Sequence, residues 1–238
     1  MSQNISNTYN DGFDNQKDEN VPSKFSIGKV VCVGRNYAAH AAELGNEVPS
    51  RPILFIKPAS CVINNDQPIA SHVIDMPRDT VYKVHYEAEL CVRIGQPLKC
   101  ATVEEVKACI GLIDGVTLGL DLTLRDLQSE LKDKGHPWER AKCFDGSCVL
   151  AEWVAPDVYG DFSAVNYQLY INDKLTQDGK TEWMLFPLYD LLSEISYTFS
   201  LQPGDVIMTG TPSGVGVLNA GDNLTLKLGE HHWQSKVI

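Results

Sequence analysis

The sequence predicts a strand-rich α+β fold with few short helices, and three features of the chain predict it. Short β-branched runs recur along it, each closed by Gly, Pro, Asn or Asp. Helical periodicity is confined to a few short segments. The two kinds of segment follow one another irregularly, without the βαβ alternation of a doubly wound sheet and without an internal repeat.

The strand candidates are "KVVCVG" (29–34), "PILFIKP" (52–58), "AELCVRIG" (88–95), "YQLYIND" (167–173), "DVIMTG" (205–210) and "NLTLKLG" (223–229). Three helices are expected. "YAAHAAELG" (37–45) stops at Gly45, "TVEEVKACIG" (102–111) opens with Thr102 followed by Glu105 as a capping box, and "PLYDLLSEISYTFSL" (187–201) is the longest. Residues 1–24 are Asn-rich, acidic and nearly free of aliphatics. Such a segment buries too little surface to offset its ordering, so a loose polar arm is expected there, ahead of one domain over 25–238.

The balance of 31 acidic against 20 basic residues gives a formal charge of −11 and argues against nucleic-acid or anionic-membrane partners, which the chain would repel. No apolar run approaches the roughly 20 residues of a membrane span. No basic start with an apolar core marks the N-terminus as a targeting segment. Seven cysteines form no C-x-x-C pair and read as buried or half-buried free thiols in a reducing compartment. A soluble cytoplasmic protein is the expectation.

Chemistry is suggested first by "HYEAEL" (85–90), read as a strand that carries Glu87 and Glu89. Residues two apart on a strand share a face, which would place the two carboxylates roughly 6–7 Å apart. A divalent cation relieves that repulsion, and hard oxygen ligands favour Mg²⁺, Mn²⁺ or Ca²⁺ over zinc; the alternative is a solvated strand face. Asp121 ends the apolar run "GVTLGL" and is a candidate third ligand. Lys142 in "WERAKCFD" either snorkels to the surface or lies buried against these acids, where one dication and one lysine would balance three carboxylates. His40 and Glu43 fall three apart on one helical face, where a carboxylate can orient an imidazole, although such pairs also occur as surface contacts. "TGTPSGVG" (209–216) lacks the ending of a P-loop and reads as a tight turn exposing Thr211.

Taken together, "CVGRNYAAHAAEL", "PILFIKP", "HYEAEL", "LDLTLRDLQ", "KGHPWERAKCFD" and "LQPGDVIMTGTPSGVG" resemble the fumarylacetoacetate hydrolase family, nearest to its small acylpyruvate hydrolase and oxaloacetate decarboxylase branch. The resemblance runs from about Ser26 to the C-terminus. It implies that family's mixed β-sandwich or roll, a Mg²⁺ or Mn²⁺ ion, a keto-acid substrate and a homodimer. It further implies Glu87, Glu89 and Asp121 as metal ligands and His40 with Glu43 as a water-activating pair. Lys142, Arg125, Gln128 and Thr211 match residues that line the substrate site.

The implied reaction is hydrolysis of the C–C bond of an acylpyruvate to a carboxylic acid and pyruvate. His40 would deprotonate the attacking water, while the metal and Lys142 stabilise the departing pyruvate enolate. Oxaloacetate decarboxylation and keto–enol tautomerisation use related enolate chemistry and are the alternatives. A non-catalytic protein merely stabilised by a metal would have no use for the His40–Glu43 pair.

Overall fold

Every β-branched run named above is a strand in the computed structural model of the chain, which describes residues 26–75 and 78–238. The expected arm over 1–24 lies outside the described residues. In chain order the strands are β1 (Val30–Gly34), β2 (Ile53–Lys57), β3 (Val62–Asn64), β4 (His72–Asp75), β5 (Thr80–Tyr86), β6 (Ala88–Ile94), β7 (Ile113–Asp121), β8 (Thr123–Leu124) and β9 (Cys148–Leu150). They continue with β10 (Asn166–Ile171), β11 (Lys174–Lys180), β12 (Val206–Met208), β13 (Gly216–Val217), β14 (Asn223–Leu228) and β15 (His231–Lys236). The helices are α1 (Ala38–Glu43), α2 (Val103–Ala108), α3 (Arg125–Asp133), α4 (Glu139–Lys142) and α5 (Leu188–Thr198).

A seven-stranded mixed sheet in the order β2-β1-β12-β6-β7-β9-β3 forms the centre. A four-stranded sheet, β11-β10-β14-β15, and a smaller one, β13-β5-β4 with β8 on β5, complete the strands. The central sheet is buried on both faces at β1, an unbroken apolar run, and at β6, where every position is buried, Glu89 and Arg93 included. Val31 and Val33 of β1, Leu90 and Val92 of β6, and Leu118 and Leu120 of β7 pack with Leu191, Leu192 and Ile195 of α5 in the larger core cluster. Fully burying each such side chain contributes about 1.5–3 kcal/mol. The other face holds a tighter cluster of Val30, Cys32, Cys91, Cys148, Val206 and Met208. Space there is limited: a Cβ on Gly119 would come within 2.8 Å of both Cys91 Sγ and the Val149 carbonyl. Small thiols suit such a face. All seven cysteines are free, but Cys100 is exposed rather than buried, in a left-handed turn (φ 49°) ahead of α2.

The capping box of α2 is formed as expected. The Glu105 amide donates to Thr102 Oγ1 at 3.3 Å and the Thr102 amide to Glu105 Oε2 at 2.8 Å, an N-terminal arrangement worth about 1 kcal/mol. Two helices, α3 and α4, went unpredicted, and both border the site.

The reading of "HYEAEL" as one strand is corrected. β5 ends at Tyr86 and β6 begins at Ala88, because β5 pairs with β4, β8 and β13 while β6 pairs with β7 and β12. Glu87 is the residue at which the chain passes from one sheet to another. Its carbonyl still accepts the Asp121 amide at 2.9 Å, one step beyond the Ala88–Leu120 pair, so Glu87 and Asp121 are cross-strand neighbours.

Candidate active site

Three chain segments bring the acids together. Glu89 points from β6, Asp121 ends the adjacent β7, and Glu87 sits at the sheet crossover; one carboxylate oxygen from each lies within 4.8 Å of the others. All three are buried. They line a cavity of about 110 Å³ together with His40, Arg125, Gln128, Lys142 and Thr211. Glu43 stands behind His40. The structure therefore brings all nine residues singled out in the sequence to one place.

Cations reach the acids unevenly. Lys142, buried at the end of α4, donates to Glu87 Oε2 at 2.9 Å and to Asp121 Oδ2 at 2.6 Å. It is thus buried against the acids rather than snorkelling. Arg125, the first residue of α3, pairs with Glu87 Oε1 and donates to Gln128 Oε1 at 2.7 Å. A third cation was missed in the sequence. Lys57, fully buried at the end of β2, lies 3.0 Å from Asp121 Oδ1. Its ammonium donates to the carbonyls of Ser147 (3.0 Å), Leu122 (3.4 Å) and Lys142. A lysine closing the apolar run "ILFIK" carried the same signal that marked Asp121, a lone charge in an apolar strand.

The charge argument built on one lysine is corrected accordingly: three buried or half-buried cations face the three acids. Burial works against the charged forms of Lys57 and Lys142, but Asp121 beside Lys57, and Asp121 and Glu87 beside Lys142, overcome it and raise both pKa values. Burial likewise opposes ionisation of Glu87, yet Lys142 and Arg125 hold its carboxyl well below the usual range. Glu89 behaves oppositely. It has the Gly210 amide at 2.7 Å but no cation in contact, and burial beside Asp121 and Glu87 pushes its pKa well up.

These details test the fit of a divalent ion. Asp121 Oδ1 lies 3.0 Å from the Lys57 ammonium as an ion pair but is left without a well-formed hydrogen bond. Glu89 lacks a counter-charge. An all-oxygen set of three convergent carboxylates is the donor chemistry of a hard dication such as Mg²⁺ or Mn²⁺, which would supply what both groups lack. The residues fit.

His40 is almost fully buried on α1, its Nδ1 3.4 Å from Glu43 Oε2. Burial, the main cause, lowers its pKa against the pull of Glu87 and Glu43, so the ring is neutral near pH 7 and able to accept a proton. Glu43 is itself aimed by the Gly214 amide, 3.1 and 3.2 Å from its two oxygens. Gly214 has φ +99°, and a Cβ there would meet the Thr176 carbonyl at 2.2 Å. Only glycine brings that amide to Glu43.

Thr211 corrects a second expectation. It is buried rather than exposed, donating its hydroxyl to the Ala88 carbonyl at 2.8 Å and accepting from Gln177 Nε2 at 2.8 Å. Gln177, also buried, accepts the Ala88 amide at 2.9 Å and donates to the Pro212 carbonyl at 2.9 Å, tying the Thr211 turn to the start of β6. No local pattern around Gln177 announces this role. Among the described residues no helix is long and apolar enough to cross a membrane.

Comparison with known proteins identifies the family. The chain is 42% identical over 215 residues to oxaloacetate tautomerase YcgM of Escherichia coli, covering 90% of this chain and 94% of that protein. It is 38% identical to the mitochondrial oxaloacetate decarboxylase of Dictyostelium discoideum, over 81% of this chain and 85% of that one. Its fold matches the crystal structure of fumarylpyruvate hydrolase from Pseudomonas aeruginosa in complex with Mn²⁺ and pyruvate, with a TM-score of 0.79 at 31% identity over 89% of this chain and 90% of that one. The family described as fumarylacetoacetate (FAA) hydrolase C-terminal matches residues 29–233. A strand-rich fold with a buried carboxylate triad, matched over nearly its whole described length, places the chain in the fumarylacetoacetate hydrolase family of enzymes.

Proposed function

We propose that the chain is a divalent-metal-dependent enzyme of enol chemistry on short 2-oxo acids, with interconversion of the keto and enol forms of oxaloacetate as its main reaction. The observation that carries this is the character of the cavity. At about 110 Å³ it is small beside the roughly 300–1,000 Å³ of drug-sized sites. Four cations, Arg35, Arg125, Lys132 and Lys142, line it with three carboxylates, and a bound dication would add to that excess. A small dianion is the matching ligand. The Escherichia coli and Dictyostelium relatives, named for oxaloacetate tautomerisation and decarboxylation, support the same substrate class.

Glu87, Glu89 and Asp121 would hold the dication, which would supply Lewis acidity toward a 2-oxo oxygen. The remaining work falls to side chains. Tautomerisation moves one proton between C3 and the enol oxygen, with no carbon–carbon bond broken. His40, neutral and buried, can take that proton and return it, while Glu43 fixes the ring and favours the transient imidazolium. Lys142 places a fixed positive charge beside the triad, where oxyanion character develops.

Hydrolysis of acylpyruvates is the second reading, favoured by the His40–Glu43 pair, a base and its orienting carboxylate of the kind that activates water. The fold match to a fumarylpyruvate hydrolase supports it. One experiment separates the two. Enol absorbance of oxaloacetate and pyruvate release from oxaloacetate and from a panel of acylpyruvates are followed with Mg²⁺, with Mn²⁺ and with chelator. Fast metal-dependent loss of the enol signal without matching pyruvate release is expected. Faster pyruvate release from any acylpyruvate than keto–enol exchange of oxaloacetate would rank hydrolysis first. A homodimer is part of the proposal and is checked by light scattering.

A further inference from the structure

We propose that Arg35 and Lys132 form a second anion subsite at the outer end of the cavity, which takes the distal carboxylate of a dicarboxylate substrate and selects it over 2-oxo acids with a neutral tail. The proposal rests on the oxaloacetate reading above and extends it to two residues to which the sequence analysis assigned no role.

Both side chains line the same cavity as the carboxylate triad. The triad is buried, whereas Arg35 is half-buried and Lys132 exposed, so the pair sits toward solvent. Helix α3 supplies the second of them. Arg125, Gln128, Ser129 and Lys132 recur at i, i+3, i+4 and i+7 and all line the cavity, while Leu127 and Leu131 bury the other side of the helix. Lys132 therefore stands two turns, about 10 Å, along the axis from Arg125. Helical side chains lean toward the N-terminus, which tilts Lys132 back over the cavity. Its ammonium donates to Asn46 Oδ1 at 3.2 Å, a neutral partner that brings it no counter-charge.

Among the described residues neither Arg35 nor Lys132 takes part in an ion pair, although nearly every other cation at the site does. Partial burial, then the charges of Arg35 and Arg125, lower the Lys132 pKa, so these like charges feel one another. An anion between them relieves that repulsion.

The backbone at Arg35 gives an independent reason. Arg35 holds φ 59°, a left-handed conformation unusual outside glycine and costing about 1 kcal/mol or more. Its neighbour Asn36, fully buried, keeps it there. Asn36 Nδ2 donates to the carbonyls of Thr209 (2.8 Å) and Phe186 (3.2 Å), and Oδ1 accepts the Phe186 amide (2.8 Å). Such strain persists only where the surrounding structure holds it, and ligand sites are among the places where it collects. The guanidinium that results is a planar, bidentate partner for a carboxylate.

The test uses two 2-hydroxy acids, lactate and malate, which differ in whether a distal carboxylate is present. Binding to the Mg²⁺-loaded protein is measured by calorimetry. Malate is expected to bind roughly tenfold or more tighter than lactate, the scale of one hydrogen bond to a charged group. Lys132→Gln and Arg35→Gln should each narrow that gap, and the double variant should close it with lactate affinity kept within about twofold; melting curves confirm that the variants fold. An unchanged gap in the double variant, or an equal loss of lactate, overturns the subsite. A wild-type protein that tautomerises oxaloacetate yet binds both acids alike overturns the subsite and leaves the functional reading standing. Retained malate preference in a protein inert toward oxaloacetate does the reverse.

Discussion

Replacing Lys57 with Met tests the electrostatic reading of the site most directly. The lysine is fully buried, 3.0 Å from Asp121 Oδ1, and its ammonium serves three carbonyls, those of Leu122, Lys142 and Ser147. Methionine matches its length and apolar stem but leaves Asp121 one cation short and takes one donor from each carbonyl, those of Lys142 and Ser147 keeping the Ser147 hydroxyl and the Leu122 amide. Removing one partner of a buried pair costs about 3–5 kcal/mol. At about 2–4 °C per kcal/mol for a chain of this size, the metal-free protein should melt about 6–20 °C lower. The same loss of positive charge beside Asp121 should make the triad a stronger dication site. Mn²⁺ in excess should therefore raise the melting point of Lys57→Met by more than it raises that of the wild type, since ligand stabilisation grows as the logarithm of concentration over Kd. Scanning calorimetry with chelator and with Mn²⁺ reads both effects. A metal-free variant melting within about 2 °C of the wild type, or one stabilised less by Mn²⁺, would refute the reasoning.

Three further outcomes are expected. His40→Ala should lower kcat/KM by about 10²-fold or more; because burial lowers its pKa, the neutral base is lost only as pH falls through a value below 6.5, and an acid limb of the wild-type rate profile above 6.5 would contradict the assignment. Glu89→Gln, which keeps the shape of a buried side chain without its negative charge, should abolish calorimetrically detectable Mn²⁺ binding while the fold persists by circular dichroism. Gly214→Ala should displace the amide that holds Glu43, because its Cβ would lie 2.2 Å from the Thr176 carbonyl; kcat should drop with Mn²⁺ affinity unchanged, and a parallel loss of metal binding would show that the turn supports the triad instead.

Local pattern was enough to find the elements that local physics builds. β1, β2, β6, β10, β12 and β14 were legible from β-branched runs and their Gly, Pro and Asn punctuation, and α2 from a capping box that depends on residues three apart. Asp121 was legible because an acid in an apolar run is costly unless partnered; Glu87 and Glu89 stood out as acids two apart on a one-strand reading that the structure splits, and the family resemblance joined all three as ligands. Tertiary structure decided everything that depends on residues far apart in the chain. It split "HYEAEL" at Glu87 because two different sheets compete for the strand on either side. It made "RDLQSELKD" a helix whose polar stripe faces a cavity, set Lys57 under Asp121 across 64 residues of chain, and joined Gln177 to Thr211 and Gly214 to Glu43. A charge in a sequence announces that it needs a partner, but only the packed chain, by excluding water and fixing distances, decides which partner it has.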